Sequence, residues 1–294
     1  MIRMTAQDFR PELLELYDFY THGRITKREF LDRAARFTIG GMTALAALSL
    51  LGPNYALAQQ VSFTDPGIVA EFVTYPSPDG HGEVRGYLVE PANLVGKAPG
   101  VVVVHENRGL NPYIEDVARR VAMASFVALA PDGLTSVGGY PGNDDKGREL
   151  QQSVDSAKLM TDFFAGIAWL MAHPDVGRVG ITGFCYGGGV ANAAAVAFPD
   201  LGAAVPFYGR QPDAADVPRI KAPLLLHYAE LDDRINEGWP AYEAALIAAG
   251  TRYEAFIYPD ANHGFHNDSS ARYDATAAEL AWARTIAFFK ANLG

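Results

Sequence analysis

The sequence predicts an α/β fold, with a mostly parallel central sheet and helices on both faces. Two observations predict it. From residue 68 onward, short β-rich runs alternate with longer helical patterns, the order expected of strands joined through crossover helices. Residues 100–104, Gly-Val-Val-Val-Val, form an unbroken apolar run, as a strand buried on both faces requires. The chain of 294 residues is long enough for a large core, and its 49% hydrophobic and 20% charged composition argues against disorder.

The elements follow in order. Residues 69–74 and 84–90 read as strands separated by the turn signal Ser77-Pro78-Asp79-Gly80. After strand 100–104 comes a helix over 112–124. A strand over 126–130 ends at Pro131-Asp132-Gly133. The Gly- and Asp-rich stretch 133–148 reads as a loop, followed by one long helix over 149–172. Strand 179–182 leads into a small-residue helix over 186–198. Strands 203–208 and 224–228, a helix over 236–249, a strand over 252–257 and a helix over 274–291 complete the body.

Charge divides the chain. The formal net charge is −10, yet residues 1–60 carry +1 and residues 61–294 carry −11. No charged residue lies between Phe37 and Thr64. We therefore separate an N-terminal segment, 1–60, from a body, 61–294. Arg24, Lys27, Arg28, Arg33 and Arg36 precede an apolar core over 42–51, and Ala56-Leu57-Ala58 follows it, which together make an export-signal pattern. Residues 26–31, Thr-Lys-Arg-Glu-Phe-Leu, also look like a twin-arginine motif with Lys for the first Arg. That reading implies a periplasmic location. The competing reading is a retained helical arm on a cytoplasmic protein. Thr26-x-x-Glu29 is a capping box, Leu13, Leu16, Tyr17 and Tyr20 have helical spacing, and His22-Gly23 separates two helices of a hairpin over 9–38. The apolar core is about half the roughly 20 residues a membrane span needs, so no stable membrane insertion is expected.

One cysteine excludes an intramolecular disulfide and a Cys-rich zinc site, and the acidic balance gives no support to nucleic-acid binding. That cysteine lies in Gly183-Phe184-Cys185-Tyr186-Gly187, directly after strand 179–182. This is a nucleophile-elbow pattern with Cys in place of Ser. A sharp strand-to-helix turn exposes the side chain, and the helix N-terminus favours a thiolate. An acid and then a histidine should follow at later strand ends. Asp232 and Asp233 compete for the acid. His263 is the histidine, His266 is expected to be more exposed, and His227 lies within a strand as a structural residue. Asp232 would orient His263, which would take the thiol proton. His105-Glu106 lacks the spacing of a metal-binding H-E-x-x-H motif, so no metal and no cofactor is expected.

These motifs resemble the dienelactone hydrolase family, the Cys-Asp-His branch of the α/β-hydrolase fold, over residues 68–292. Gly-Phe-Cys-Tyr-Gly-Gly at 183–188, the Asp232 loop, Ala-Asn-His-Gly-Phe at 261–265 and His-Glu-Asn-Arg-Gly at 105–109 carry the resemblance. It implies hydrolysis of a small ester or lactone through an acyl-thioester. It also implies that Glu106 contacts Cys185 and controls its protonation, a nearby carboxylate raising the thiol pKa. Backbone N–H groups of Tyr186 and Asn107 would form the oxyanion hole. Relatives acting on dienelactone hold its carboxylate with two arginines, one four residues after the histidine. Asn267 stands there in this chain. Arg108 and Arg210, at strand ends, are candidates for substrate contact, and Arg148 lies near the other arginine position. Rival readings are a broad carboxylesterase or thioesterase and a non-catalytic ligand-binding protein on a hydrolase scaffold. The partner is a small-molecule substrate, and a homo-oligomer is left open.

Overall fold

A computed structural model describes residues 4–37 and 42–294. Eight strands form one sheet: β1 (Ile68–Ser77), β2 (Gly82–Pro91), β3 (Ala98–Val104), β4 (Val127–Pro131), β5 (Val176–Phe184), β6 (Ala203–Phe207), β7 (Leu224–Leu231) and β8 (Tyr253–Asn262). Their order across the sheet is β1-β2-β4-β3-β5-β6-β7-β8. β1 and β2 form an antiparallel hairpin at one edge, and β2 pairs antiparallel with β4. Every other pairing is parallel. The sheet is thus parallel wherever helical crossovers join the strands.

Strand alternation divides the body core in two. On β3, Val101 and Val103 face a layer built from α4 (Pro112–Met123) and α10 (Ala275–Leu293). Val102 and Val104 face the opposite layer, built from α6 (Ser156–Met171), α7 (Tyr186–Ala197) and α9 (Trp239–Ala249). Both faces of β3 are therefore dry, which is why its sequence is a continuous apolar run.

The helix expected over 149–172 is two helices. α5 (Asp144–Ser153) ends at Val154 in extended backbone, and α6 starts afresh with Asp155 accepting from the Ala157 and Lys158 N–H groups at 2.9 and 3.0 Å. Part of the stretch read as a loop over 133–148 is the first turn of α5, capped by Asn143. Here side-chain capping outweighed the helical pattern across residues 154 and 155. Similarly, the helix expected over 236–249 is α9, preceded by a separate short α8 (Asp233–Asn236).

The N-terminal segment contains α1 (Pro11–Thr21), α2 (Lys27–Ala34) and α3 (Ala44–Leu51). Residues 38–41 of the stretch read as a hairpin and apolar core lie outside the described residues. The capping box at α2 is present: the Thr26 hydroxyl accepts from the Glu29 N–H, and the Glu29 carboxylate accepts from the Thr26 N–H. The three helices bury Leu13, Tyr17, Tyr20, Phe30, Ala47 and Leu51 in a small core that includes Ala271 from the body. Among the described residues no helix is long and apolar enough to cross a membrane.

Candidate active site

β5 ends at Phe184 and α7 begins at Tyr186, so Cys185 alone makes the turn between them. Its φ of 56° and ψ of −110° lie in a region side chains other than Gly rarely occupy. Such strain costs on the order of 1–3 kcal/mol and must be held by its surroundings. The surroundings are close-packed backbone. A Cβ on Gly183 would collide with the Gly187 main chain, and one on Gly187 with the Val104 carbonyl. The glycines of the elbow motif let strand and helix meet this closely. Cys185 is a free thiol, 9% exposed.

The acid and histidine come from the next strand ends. Asp232 follows β7 and His263 follows β8, and Asp232 Oδ2 accepts from His263 Nδ1 at 2.5 Å. Asp233 is exposed and opens α8; the carboxylate bonded to the His263 ring is that of Asp232. With Nδ1 donating to a carboxylate, the neutral form of His263 carries its lone pair on Nε2. That atom is buried and, among the described residues, without a hydrogen-bond partner. Burial opposes charge on His263, but the Asp232 carboxylate and the Cys185 sulfur overcome it and raise its pKa to about 9. Asp232 is correspondingly held below its usual range: burial pushes it up, and His263 pulls it down further.

Glu106 lies in the loop after β3, 2% exposed. Asn267 Nδ2 donates to its Oε2 at 2.9 Å, and Arg108 Nε lies 3.7 Å from the same oxygen. Among the described residues, the hydrogen-bond partner of the Cys185 sulfur is not Glu106 but His22, whose Nε2 lies 3.3 Å from Sγ. Asn267, at the position where relatives have arginine, thus serves Glu106.

Tyr186 is the first residue of α7, where backbone N–H groups have no partner within the helix. Asn107 follows Glu106, and its side-chain Nδ2 donates to the Thr21 carbonyl of α1 at 2.8 Å. Arg108 is buried and committed to Asp144, with Nη1 at 2.8 Å from the carboxylate. Arg210 is exposed at the end of β6, and its carbonyl accepts from Asn192. Arg148 pairs with Asp145 and lies over the Tyr20 ring.

His266 is not more exposed than His263, as its sequence position suggested. It is 2% exposed, hydrogen-bonded to the Tyr113 hydroxyl at 2.7 Å and stacked on Phe184. His227 is a buried structural histidine between the hydroxyls of Thr285 and Tyr258, with its pKa lowered to about 3, chiefly by burial. Both ring nitrogens of His105 are engaged, Nδ1 with the Glu106 carbonyl and Nε2 with the Gly133 N–H.

Three residues at the site escaped the sequence reading: His22, Asp18 and Arg234. Arg234 is two residues beyond Asp232. Its Nη2 lies 3.1 Å from His22 Nε2 and 3.2 Å from His263 Nδ1. Asp18 is one helical turn before His22 and bonds its ring. The i, i+4 spacing of Asp18 and His22 is visible in the sequence, but their destination is not. The arm and the body enclose a cleft lined by Leu14, Asp18, Asp232, Arg234, His263 and Arg272.

Two family models match separate stretches of the chain. Residues 84–293 match the dienelactone hydrolase family, and residues 1–36 match a separate family, YqhI-like. An Escherichia coli K12 protein named "Putative hydrolase fragment YghX" is 81% identical over 114 residues, covering 39% of this chain and 97% of its own. A Synechocystis protein named "Putative carboxymethylenebutenolidase" is 33% identical over 240 residues, covering 74% of this chain and 95% of its own. The crystal structure of a "Putative Dienelactone Hydrolase" from Klebsiella pneumoniae superposes with a TM-score of 0.67 at 30% identity, over 76% of this chain and 98% of the other.

Proposed function

We propose, from the premise that this chain belongs to the dienelactone hydrolase family, that it cleaves a small ester or lactone with Cys185 as the nucleophile. The chain is a hydrolase, and the finer reading concerns how it works and on what. The observation that carries it is a strained elbow cysteine beside an Asp232–His263 pair whose Nε2 has no hydrogen-bond partner among the described residues. Cys185 Sγ attacks the carbonyl carbon. The backbone N–H groups of Tyr186 and Asn107 receive the oxyanion, and the N-terminus of α7 favours negative charge there. Imidazole at His263, oriented by Asp232, moves protons in the cycle. Collapse releases the alcohol and leaves an acyl-thioester on Cys185, which water hydrolyses to the acid. Glu106 precedes Asn107 in the loop after β3, where Asn267 and Arg108 hold its carboxylate.

The test is a panel of lactones and esters offered to wild type and Cys185→Ala. Hydrolysis of at least one class by wild type, abolished in the variant and by iodoacetamide, supports the reading. Hydrolysis that survives alkylation of Cys185 removes the cysteine nucleophile from the mechanism.

A further inference from the structure

We propose that His22, delivered by the N-terminal arm, is a second catalytic imidazole, the acceptor of the Cys185 thiol proton. This deepens the hydrolase reading above and rests on it for the later steps of the cycle.

The argument starts from hydrogen-bond donors. His22 Nδ1 lies 2.8 Å from the Asp18 carbonyl and 3.1 Å from Asp18 Oδ1. Both oxygens can only accept, so Nδ1 carries the proton. A neutral His22 ring then has its lone pair on Nε2, the atom 3.3 Å from Sγ. The thiol therefore donates to His22 Nε2, sharing that lone pair with Arg234 Nη2, which donates to the same atom from 3.1 Å. His263 likewise has an aspartate on Nδ1, with Arg234 Nη2 3.2 Å from that atom, and among the described residues its Nε2 has no hydrogen-bond partner. The two rings meet edge to face at 4.8 Å, each carrying its own aspartate.

Asp18 is ready to hold an imidazolium. Arg272 Nη1 lies 3.1 Å from its Oδ1 and Arg234 Nε 3.6 Å from its Oδ2. Burial opposes its charge, but His22, His263 and Arg272 keep it ionised far below the usual carboxylate range. The arm is fixed over the sulfur by these pairs and by the Asn107 bond to Thr21, so its loop position is tied to the proposed oxyanion loop.

His22, Cys185 and His263 also have the composition of a metal site. Arg234 decides against that use. Its guanidinium, 3.1 Å from His22 Nε2, occupies the lone pair a dication would need and repels it; for proton transfer the same N–H must release Nε2, and its positive charge then favours the thiolate left behind.

The proton balance closes with two rings. As the S–C bond forms, Sγ–H passes its proton to His22 Nε2. When the tetrahedral intermediate collapses, the C–O bond to the leaving oxygen breaks, and that oxygen takes the proton from His22. In the second half, His263 Nε2 takes a proton from water as the water oxygen attacks the thioester carbon. The C–S bond then breaks, and His263 returns the proton to Sγ.

The decisive measurement is the rate of Cys185 alkylation by iodoacetamide from about pH 5 to about pH 10, which needs no substrate. In His22→Gln, which retains a hydrogen-bonding side chain of similar reach, the rate near neutrality should fall by about 10². The profile should also move to the range of an unassisted thiol, about 8.5. Free imidazole should restore part of the rate in His22→Ala. Wild-type alkylation in His22→Gln overturns the proposal. So does faster hydrolysis in His22→Ala, which would make the arm a plug. Should the His22 variants not fold, Asp18→Asn carries the test: an unchanged profile overturns the proposal, and a profile moved to higher pH supports it. If wild type hydrolyses nothing in the panel while alkylation still depends on His22, the hydrolase mechanism fails and the His22 assignment stands.

Discussion

The His263–Asp232 pair joins two strand ends 31 residues apart, whereas the His22–Asp18 pair spans one turn at the end of α1. Both bring an aspartate-backed imidazole to Cys185. The body pair is held by the register of β7 against β8, which continues from Leu224 opposite Tyr253 to Leu231 opposite Asn262. Disturbing it means disturbing the sheet. The arm pair is held by docking: a small apolar core with Ala271 as its buried body residue, and polar ties to Arg234, Arg272 and Asn107. Geometry inside the arm is local and cheap to form, but its position over the sulfur depends on contacts that can be lost without unfolding the body.

The largest expected effect breaks both halves at once. Cys185→Ala should reduce ester or lactone turnover to background, measured against iodoacetamide-treated wild type. His263→Ala tests the body half alone and should lower kcat by about 10³, with thioester accumulating because water activation is lost. Mass spectrometry of the quenched enzyme reads that intermediate. An unmodified enzyme at the same residual rate would place the loss before acylation.

Phe30→Ala attacks the arm without touching the site. Phe30 is fully buried in the arm core, and the truncation should cost about 3–5 kcal/mol there. Turnover and thiol reactivity should drop toward those of His22→Gln, while the main thermal transition of the body stays in place. A parallel fall in the main transition would show that arm and body unfold as one unit.

The smallest effect is on pH dependence. Folded His263 is raised to about 9 from an ordinary 6.5. Its contribution to stability is complete below about 6.5 and is lost as pH rises through about 9. The unfolding midpoint should therefore fall between pH 7 and about 10, and by less in His263→Ala. Asp18 has the opposite sign: its pKa is depressed, so its contribution declines as pH drops below 3.8. Alkali should weaken the body pair, whereas acid titrates the depressed aspartates of both pairs.

The difference between the two pairs also explains what could be read from the sequence. Cys185, Asp232 and His263 were legible because strand-end positions in a parallel sheet converge on one edge, and short flanking motifs mark where each strand ends. His227 was legible as structural because it sits inside an apolar strand. His266 was not, since burial against Phe184 and Tyr113 is set by packing across the core. The split of residues 144–171 into α5 and α6 was missed because Asp155 capping competes with an otherwise continuous helical pattern.

The sequence alone determined the layered architecture, the elbow, the placing of Cys185, Asp232 and His263 at successive strand ends, and the hairpin in the arm. Each depends on periodicity, turn chemistry or capping, which act over a few residues. Tertiary structure alone decided that the sulfur bonds His22, that Glu106 is held by Asn267 and Arg108, and that Arg234 lies between two imidazoles. Those contacts join segments as much as 212 residues apart. No local pattern encodes the docking of one preformed unit on another, because that is fixed by the fit of two finished surfaces.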